Sequence, residues 1–136
     1  MSFSKAEQAM QLHSKGFNCA QSVALPFCEE FGLDPKTVMM GMEGFGAGMG
    51  GRELTCGALS GAIYMLGFKC SDGNLNSPAT KTHTYAAANA LGRRFAEKCG
   101  SAICREIKGE KDGKALMSCN DCIILAVNLL EEALNK

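Results

Sequence analysis

Residues 41–67 read GMEGFGAGMGGRELTCGALSGAIYMLG, a glycine-rich run that ends at Cys56 and continues into an apolar segment of small residues. Glycine tolerates left-handed backbone conformations and lets other atoms approach the main chain closely. Thr55 is a preferred capping residue, so the stretch predicts a flexible loop followed by a helix from Cys56 to about residue 66. Gly57 and Gly61, four residues apart, would leave one face of that helix open to a neighbouring helix.

The rest of the chain carries helix start and stop signals and no alternating strand pattern. The sequence therefore predicts an all-α, single-domain bundle of about six helices, with the glycine-rich loop placed before the central helix. The predicted starts are Ser4 for the first helix, Asn18 for the second, Asp34-Pro35 for the third, Ser77-Pro78 for a long fifth, and Ser118 or Asp121 for the last. The second helix is expected to kink at Pro26, and the fourth to stop at Gly67. One or two further helical turns are predicted over 101–107, and an exposed loop over 108–114.

On the long fifth helix, an apolar stripe made by Tyr85, Ala88, Leu91, Phe95 and Cys99 is predicted to face the core. The 136 residues match the size of one domain, so residues 1–136 are expected to form a single helical unit.

Composition excludes several classes of function. Fourteen lysines and arginines balance fourteen aspartates and glutamates, so no net charge recruits nucleic acid. The longest apolar run, residues 58–68, is far shorter than the roughly 20 residues that cross a bilayer. The polar N-terminal residues do not resemble a secretory signal. We expect a cytoplasmic protein without a membrane span, in which the eight cysteines are buried, metal-bound or redox-active rather than permanently bridged.

Several of these cysteines fall at predicted helix starts, where free backbone N–H groups and the helix dipole favour a thiolate. A helix terminus supplies about 0.3–1 kcal/mol, which lowers a thiol pKa by less than one unit. A cation would have to add to this effect, and Arg52 and Arg105 are the candidates. The cysteines placed in this way are Cys19 after Asn18, Cys56 after Thr55, Cys104 three residues after Ser101, and Cys119 or Cys122 after Ser118 or Asp121.

Other features have simpler interpretations. Cys28, Cys70 and Cys99 are expected to pack in the core, because free cysteine is among the most often buried residues. The glycines of 46–51 match a dinucleotide-binding spacing, but the predicted helical context does not fit that fold. His13 and His83 are isolated and are expected to be ordinary histidines. The CxxC at 119–122 is compatible with a redox pair or with half of a zinc site.

Taken in order, these motifs resemble a family of redox-active proteins named for four cysteines and a CGAxxG motif. The matching elements are Asn18-Cys19-Ala20-Gln21, the glycine-rich run to Arg52, Cys56-Gly57-Ala58-x-x-Gly61, Cys104-Arg105-Glu106, and a cysteine opening the C-terminal helix. The resemblance implies that Cys19, Cys56, Cys104 and Cys122 are the functional cysteines. It also implies a redox role and an oxidoreductase or transporter component as a partner, and it names no substrate.

Two chemistries fit these residues. In thiol–disulfide exchange, which needs no cofactor, Cys56 would attack and Cys19 would resolve, while Cys104 and Cys122 would form a second pair. Alternatively, the same four thiolates would hold zinc or an iron–sulfur cluster. Cys119 departs from the four-cysteine pattern and offers Cys122 another partner. A third interpretation is a helical accessory protein in which the cysteines are structural.

Overall fold

The first three helices begin at the caps that the sequence predicts. In the computed structural model, which describes residues 3–110 and 113–136, Ser4 and Glu7 form a capping box, as do Asn18 and Gln21. The side chain of Asp34 accepts a hydrogen bond from the backbone N–H of residue 36. These local interactions satisfy backbone groups that a helix leaves free at its start, and they explain why the first three starts were predictable.

The described residues contain seven α-helices and no sheet, which confirms the predicted all-α class. No helix among them is both long and apolar enough to cross a membrane. The helices are α1 (Lys5–Ser14), α2 (Cys19–Ala24), α3 (Pro35–Met42), α4 (Gly57–Cys70), α5 (Lys81–Cys99), α6 (Cys104–Ile107) and α7 (Cys119–Leu134), with short 3-10 turns at Leu25–Phe27, Glu29–Phe31 and Glu43–Phe45 and a wide turn at Gly48–Arg52.

Helix α4 differs from its prediction at both ends. Cys56 itself is the capping residue, because Thr55 is held in an antiparallel bridge with Ile103. The helix also continues past Gly67, since the backbone N–H of Ser71 donates to the carbonyl of Gly67 at 2.9 Å. A glycine ends a helix only where the chain turns left-handed, and here the chain does not turn.

The structure also differs from the sequence prediction around Pro26 and in α5. Instead of one kinked helix, α2 ends at Ala24 and two 3-10 turns lead to a left-handed Gly32. Helix α5 begins three residues after Pro78, and its predicted core residue Tyr85 is exposed. Only the C-terminal half of α5 contributes fully buried residues, so the apolar stripe was extended too far toward the N-terminus.

At the loop predicted over residues 108–114, Lys111 and Asp112 lie outside the described residues. Lys108 is exposed and follows α6 directly, as its C-terminal cap. The last helix is capped by Ser118, whose side-chain oxygen accepts a hydrogen bond from the backbone N–H of Asp121 at 3.0 Å. Helix α7 therefore begins at Cys119, one turn earlier than the alternative start at Cys122.

The centre of the bundle is the packing of α4 on α2. A β-carbon built on Gly61 would lie 2.6 Å from the carbonyl oxygen of Ala20, and one on Gly57 would lie 3.3 Å from the backbone nitrogen of the same residue. These distances confirm that the two glycines open one face of α4 to a neighbour. The close approach brings the N-terminal ends of α2 and α4 together.

Candidate functional site

A cavity of about 280 Å³ lies where the N-terminal ends of α2, α4, α6 and α7 meet. The four cysteines implied by the family resemblance line it together with Cys119. The complete lining is His13, Asn18, Cys19, Ala47, Arg52, Cys56, Gly57, Cys104, Ile107, Lys108, Met117, Cys119 and Cys122. The fold thus brings five thiols, from four separate segments of the chain, to one place.

Backbone contacts fix the relative position of Cys56 and Cys104. The backbone N–H of Cys56 donates to the carbonyl of Ala102 at 2.7 Å, and that of Cys104 donates to the carbonyl of Leu54 at 2.8 Å. Gly48, with a φ of 57°, lies against Cys104, since a β-carbon on it would fall 2.5 Å from the β-carbon of the cysteine. The glycine-rich loop therefore packs directly on the thiol cluster.

Cys19 and Cys119, called the outer pair below, lie at the first positions of α2 and α7. The Nζ atom of Lys108 lies 2.7 Å from the sulfur of Cys119. The pKa of Cys119 is lowered to about 5, first by a hydrogen bond from Cys19 and then, against burial, by the ammonium of Lys108. The same hydrogen bond raises the pKa of Cys19, because Cys19 keeps the proton that it donates to Cys119. This shared hydrogen bond favours the thiolate on Cys119 and the thiol on Cys19.

Cys56 and Cys122, called the inner pair below, are both buried. The pKa of Cys56 is lowered to about 7, first by a hydrogen bond from Cys122 and then by the backbone N–H groups of Ala58 and Leu59 at the start of α4. The pKa of Cys122 is raised, chiefly by the same hydrogen bond. The helix-start effect predicted for Cys56 is present, but the neighbouring thiol contributes more.

Cys99 and Cys104 lie beside these pairs. The sulfur of Cys99 is 4.0 Å from that of Cys122, on the side of the bundle core. Burial raises the pKa of the Cys99 thiol and of the Cys104 thiol. All eight cysteines are free thiols. The thiols that share hydrogen bonds are thus Cys56 with Cys122 and Cys119 with Cys19, whereas the sequence-based disulfide pairs Cys56–Cys19 and Cys104–Cys122 stay a prediction.

The predicted cations are placed differently from one another. Arg52 lines the thiol cavity, but its Nε atom also lies 3.4 Å from the carboxylate of Glu110. Arg105 lines a neighbouring pocket with Arg52 and Glu110. Lys108, which the sequence interpretation did not select, contacts a cysteine sulfur, that of Cys119. Its position four residues after Cys104, one helical turn away, is the signal that could have drawn attention to it.

Cys119 and His13 also line the cavity, although the sequence interpretation did not place either among the main site residues. The family resemblance points to Cys122 and leaves Cys119 outside the four-cysteine pattern. His13 lines the cavity, and its Nδ1 atom lies 2.9 Å from the side-chain oxygen of Asn120. No sequence pattern marks this histidine, since α1 and α7 meet only in the folded bundle.

The described residues contain no group of three or more His, Cys, Asp or Glu side chains arranged to hold a metal ion. A zinc or iron–sulfur centre on Cys19, Cys56, Cys104 and Cys122 stays a prediction, which metal analysis of the protein can test.

In a comparison with protein families, residues 17–133 match the family described as "Putative redox-active protein (C_GCAxxG_C_C)". The chain belongs to this family of redox-active proteins. The matched region includes every cysteine of the cavity. No curated protein and no solved structure matches the chain.

Proposed function

We propose that the protein is a thiol–disulfide exchange protein whose outer pair reacts first with an external disulfide. The observation that carries this proposal is the arrangement of Cys19, Cys119 and Lys108. A thiolate is the attacking species in exchange, and a second thiol within reach is needed to complete it. The outer pair supplies the thiolate and the second thiol at one edge of the cavity.

The attacking atom in this proposal is the sulfur of Cys119. Sequence reasoning favoured Cys56, but Cys56 is only 6% exposed, whereas Cys119 is half-buried. The ammonium of Lys108 also stabilises the thiolate of Cys119 directly. Access and ionisation together favour Cys119 as the first thiol to meet a partner.

The reaction has two steps. The Cys119 thiolate attacks one sulfur of the partner disulfide, which forms a mixed disulfide and releases the first partner thiolate. The Cys19 sulfur then attacks Cys119, forms the Cys19–Cys119 bond, and transfers its proton to the second partner thiolate as that group leaves. Two electrons pass from the protein to the partner, and the reverse sequence oxidises a partner dithiol.

The family resemblance makes a disulfide on an oxidoreductase or transporter component the class of partner we favour. The cavity is also large enough for part of a small disulfide, and its lining combines the apolar side chains of Ala47, Ile107 and Met117 with the charged ones of Arg52 and Lys108. This mixed lining does not select a substrate of one particular charge, so it supports thiol–disulfide exchange without identifying a particular disulfide.

Stopped-flow reaction of the reduced protein with excess 5,5′-dithiobis(2-nitrobenzoate) at pH 7 tests the proposal. We expect a fast phase that releases two thionitrobenzoate ions per chain, one for each step. Cys119→Ser should remove the fast phase. Cys19→Ser should release one ion and leave a mixed disulfide on Cys119, which intact mass spectrometry would detect.

Cys70→Ser is the matched control, because Cys70 is a half-buried cysteine that does not line the thiol cavity. It should leave the fast phase unchanged, and circular dichroism should show that all three variants retain the helical fold. A fast phase that persists in Cys119→Ser would show that another thiol reacts first and would overturn the proposal.

A further inference from the structure

The inner pair has ionisation suited to exchange, yet it is poorly placed to meet an external disulfide. Cys56 is 6% exposed and Cys122 is 2% exposed. Both face the same cavity as the outer pair. A buried thiolate that cannot readily reach a partner in solution can still react with a disulfide formed inside the protein.

The backbone brings Cys19 and Cys56 to adjacent helix starts. The residues that directly follow them, Ala20 and Gly57, are in contact, because a β-carbon on Gly57 would fall 3.3 Å from the backbone nitrogen of Ala20. Cys56 also interacts electrostatically with both members of the outer pair. Cys19, whose neighbour Ala20 contacts Gly57, is the member of the outer pair that the inner pair is positioned to attack.

From this geometry we infer that the inner pair is a second redox site, which takes the disulfide from the outer pair by internal exchange. The inference rests on the proposed exchange at the outer pair. It gives the protein a surface site that reacts with partners and a buried site that stores the disulfide.

The transfer balances without any further oxidant or reductant. The Cys56 thiolate attacks Cys19 in the Cys19–Cys119 disulfide, so the Cys19–Cys56 bond forms and Cys119 leaves as a thiolate. The Cys122 sulfur then attacks Cys56, the Cys56–Cys122 bond forms, and Cys19 leaves with the proton that Cys122 gives up. The outer pair is reduced again, and the inner pair holds the disulfide.

Each step uses groups suited to it. Cys119 is a good leaving group because thiols of low pKa leave readily, and Lys108 is in contact to stabilise the departing charge. The attacking thiol Cys56 has a pKa of about 7, near the ambient pH at which attack is most efficient. Once the outer pair is regenerated, it can react with a second partner disulfide, so the protein would donate four electrons in total.

The test follows one disulfide through the molecule. Reduced full-length protein is mixed with one equivalent of 5,5′-dithiobis(2-nitrobenzoate), quenched in acid at increasing times, alkylated and mapped by mass spectrometry. We expect the Cys19–Cys119 disulfide first, followed by its loss as Cys56–Cys122 accumulates. With two equivalents, both disulfides should form and four thionitrobenzoate ions should be released.

Two variants isolate the steps. Cys56→Ser should hold the disulfide on Cys19–Cys119. Cys122→Ser should allow the first step but not the second, so a Cys19–Cys56 disulfide should appear that is absent from the wild type at equilibrium. Because serine is close to cysteine in size, we expect both variants to fold, and the rapid formation of Cys19–Cys119 in each confirms that the outer site is intact.

The outcomes separate this inference from the function on which it rests. A disulfide that forms on Cys19–Cys119 and stays there in the wild type overturns the internal transfer and leaves exchange at the outer pair standing. Equally fast oxidation of Cys56–Cys122 in Cys119→Ser also overturns it, because the inner pair would then react directly. Failure to form Cys19–Cys119 at all would instead contradict the proposed function.

Discussion

The ammonium of Lys108 lies 2.7 Å from the sulfur of Cys119 and links the end of α6 to the start of α7. The contact also raises the pKa of Lys108, mainly through the hydrogen bond to Cys119. An opposite charge at this separation favours the ionised form of both groups. Lys108 is therefore a positioning residue for the thiolate.

Replacing Lys108 by glutamine should raise the pKa of Cys119. Loss of an adjacent opposite charge shifts a pKa by about 1–3 units, so alkylation of Cys119 by iodoacetamide at pH 5.5 should fall by about threefold to 240-fold. Peptide mapping by mass spectrometry measures the rate at this one cysteine. Lys108→Arg should restore most of it, and Lys36→Gln, at an exposed lysine outside the thiol cavity, should change nothing. An unchanged rate in Lys108→Gln would contradict the role of the lysine.

The reactivity of Cys119 should depend on pH with a midpoint far below that of an ordinary thiol. Its pKa is lowered from 9.0 to about 5, so its alkylation rate should rise with pH through about 5 and then level off. Below the midpoint the rate should fall tenfold for each pH unit, because only the thiolate reacts. The proton is shared with Cys19, so the midpoint belongs to the outer pair. A midpoint near 9 would show that the thiolate is not stabilised.

The same ionisation should affect stability in a defined direction. Since the pKa of Cys119 is lower in the folded chain than in the unfolded chain, its contribution to stability is present at about pH 9 and is lost as the pH falls toward 5. Urea denaturation between pH 5 and 9 should show the free energy of unfolding rising less steeply with pH in Cys119→Ser than in the wild type. Identical slopes would count against a stabilised thiolate in the folded protein.

Two glycines on helix α4 should respond oppositely to alanine. Gly61→Ala would place a methyl group 2.6 Å from the carbonyl oxygen of Ala20, so we expect a loss of about 1–3 kcal/mol in the free energy of unfolding. Gly67→Ala is the matched control on the same helix, with no atom within 4 Å of the added carbon. It should stabilise the protein by about 0.4–1 kcal/mol. Equal effects on the urea midpoint would show that α2 and α4 do not pack this closely.

Cys104 separates the exchange chemistry from the metal alternative. Exchange through the outer and inner pairs does not use Cys104, so Cys104→Ser should keep the fast phase and the internal transfer. A zinc or iron–sulfur site on the four family cysteines would lose one ligand in the same variant. Metal analysis of the anaerobically purified wild type should accordingly find less than one zinc or iron per chain. A full equivalent that is lost in Cys104→Ser would favour the metal site.

Much of the fold could be predicted from the sequence, because the interactions that start its helices are local. The capping boxes at Ser4 and Asn18 and the cap at Asp34 act over three or four residues, and each appears in the structure as predicted. The predicted end of α4 and the predicted burial of Tyr85 were wrong, because both properties depend on which other helices lie alongside. Local signals start a helix, whereas its extent and its buried face are set by packing.

The composition of residues 41–67 determined that a glycine-rich loop would lead into a helix whose face is open at Gly57 and Gly61. What covers that face, and which thiols meet beside it, was decided by the tertiary structure. Sulfur contacts and the approach of Lys108 to Cys119 join residues from different helices, and neither sequence spacing nor residue type fixes distances across such a gap. For this reason the sequence could single out candidate cysteines, while only the folded bundle shows which of them lie against one another.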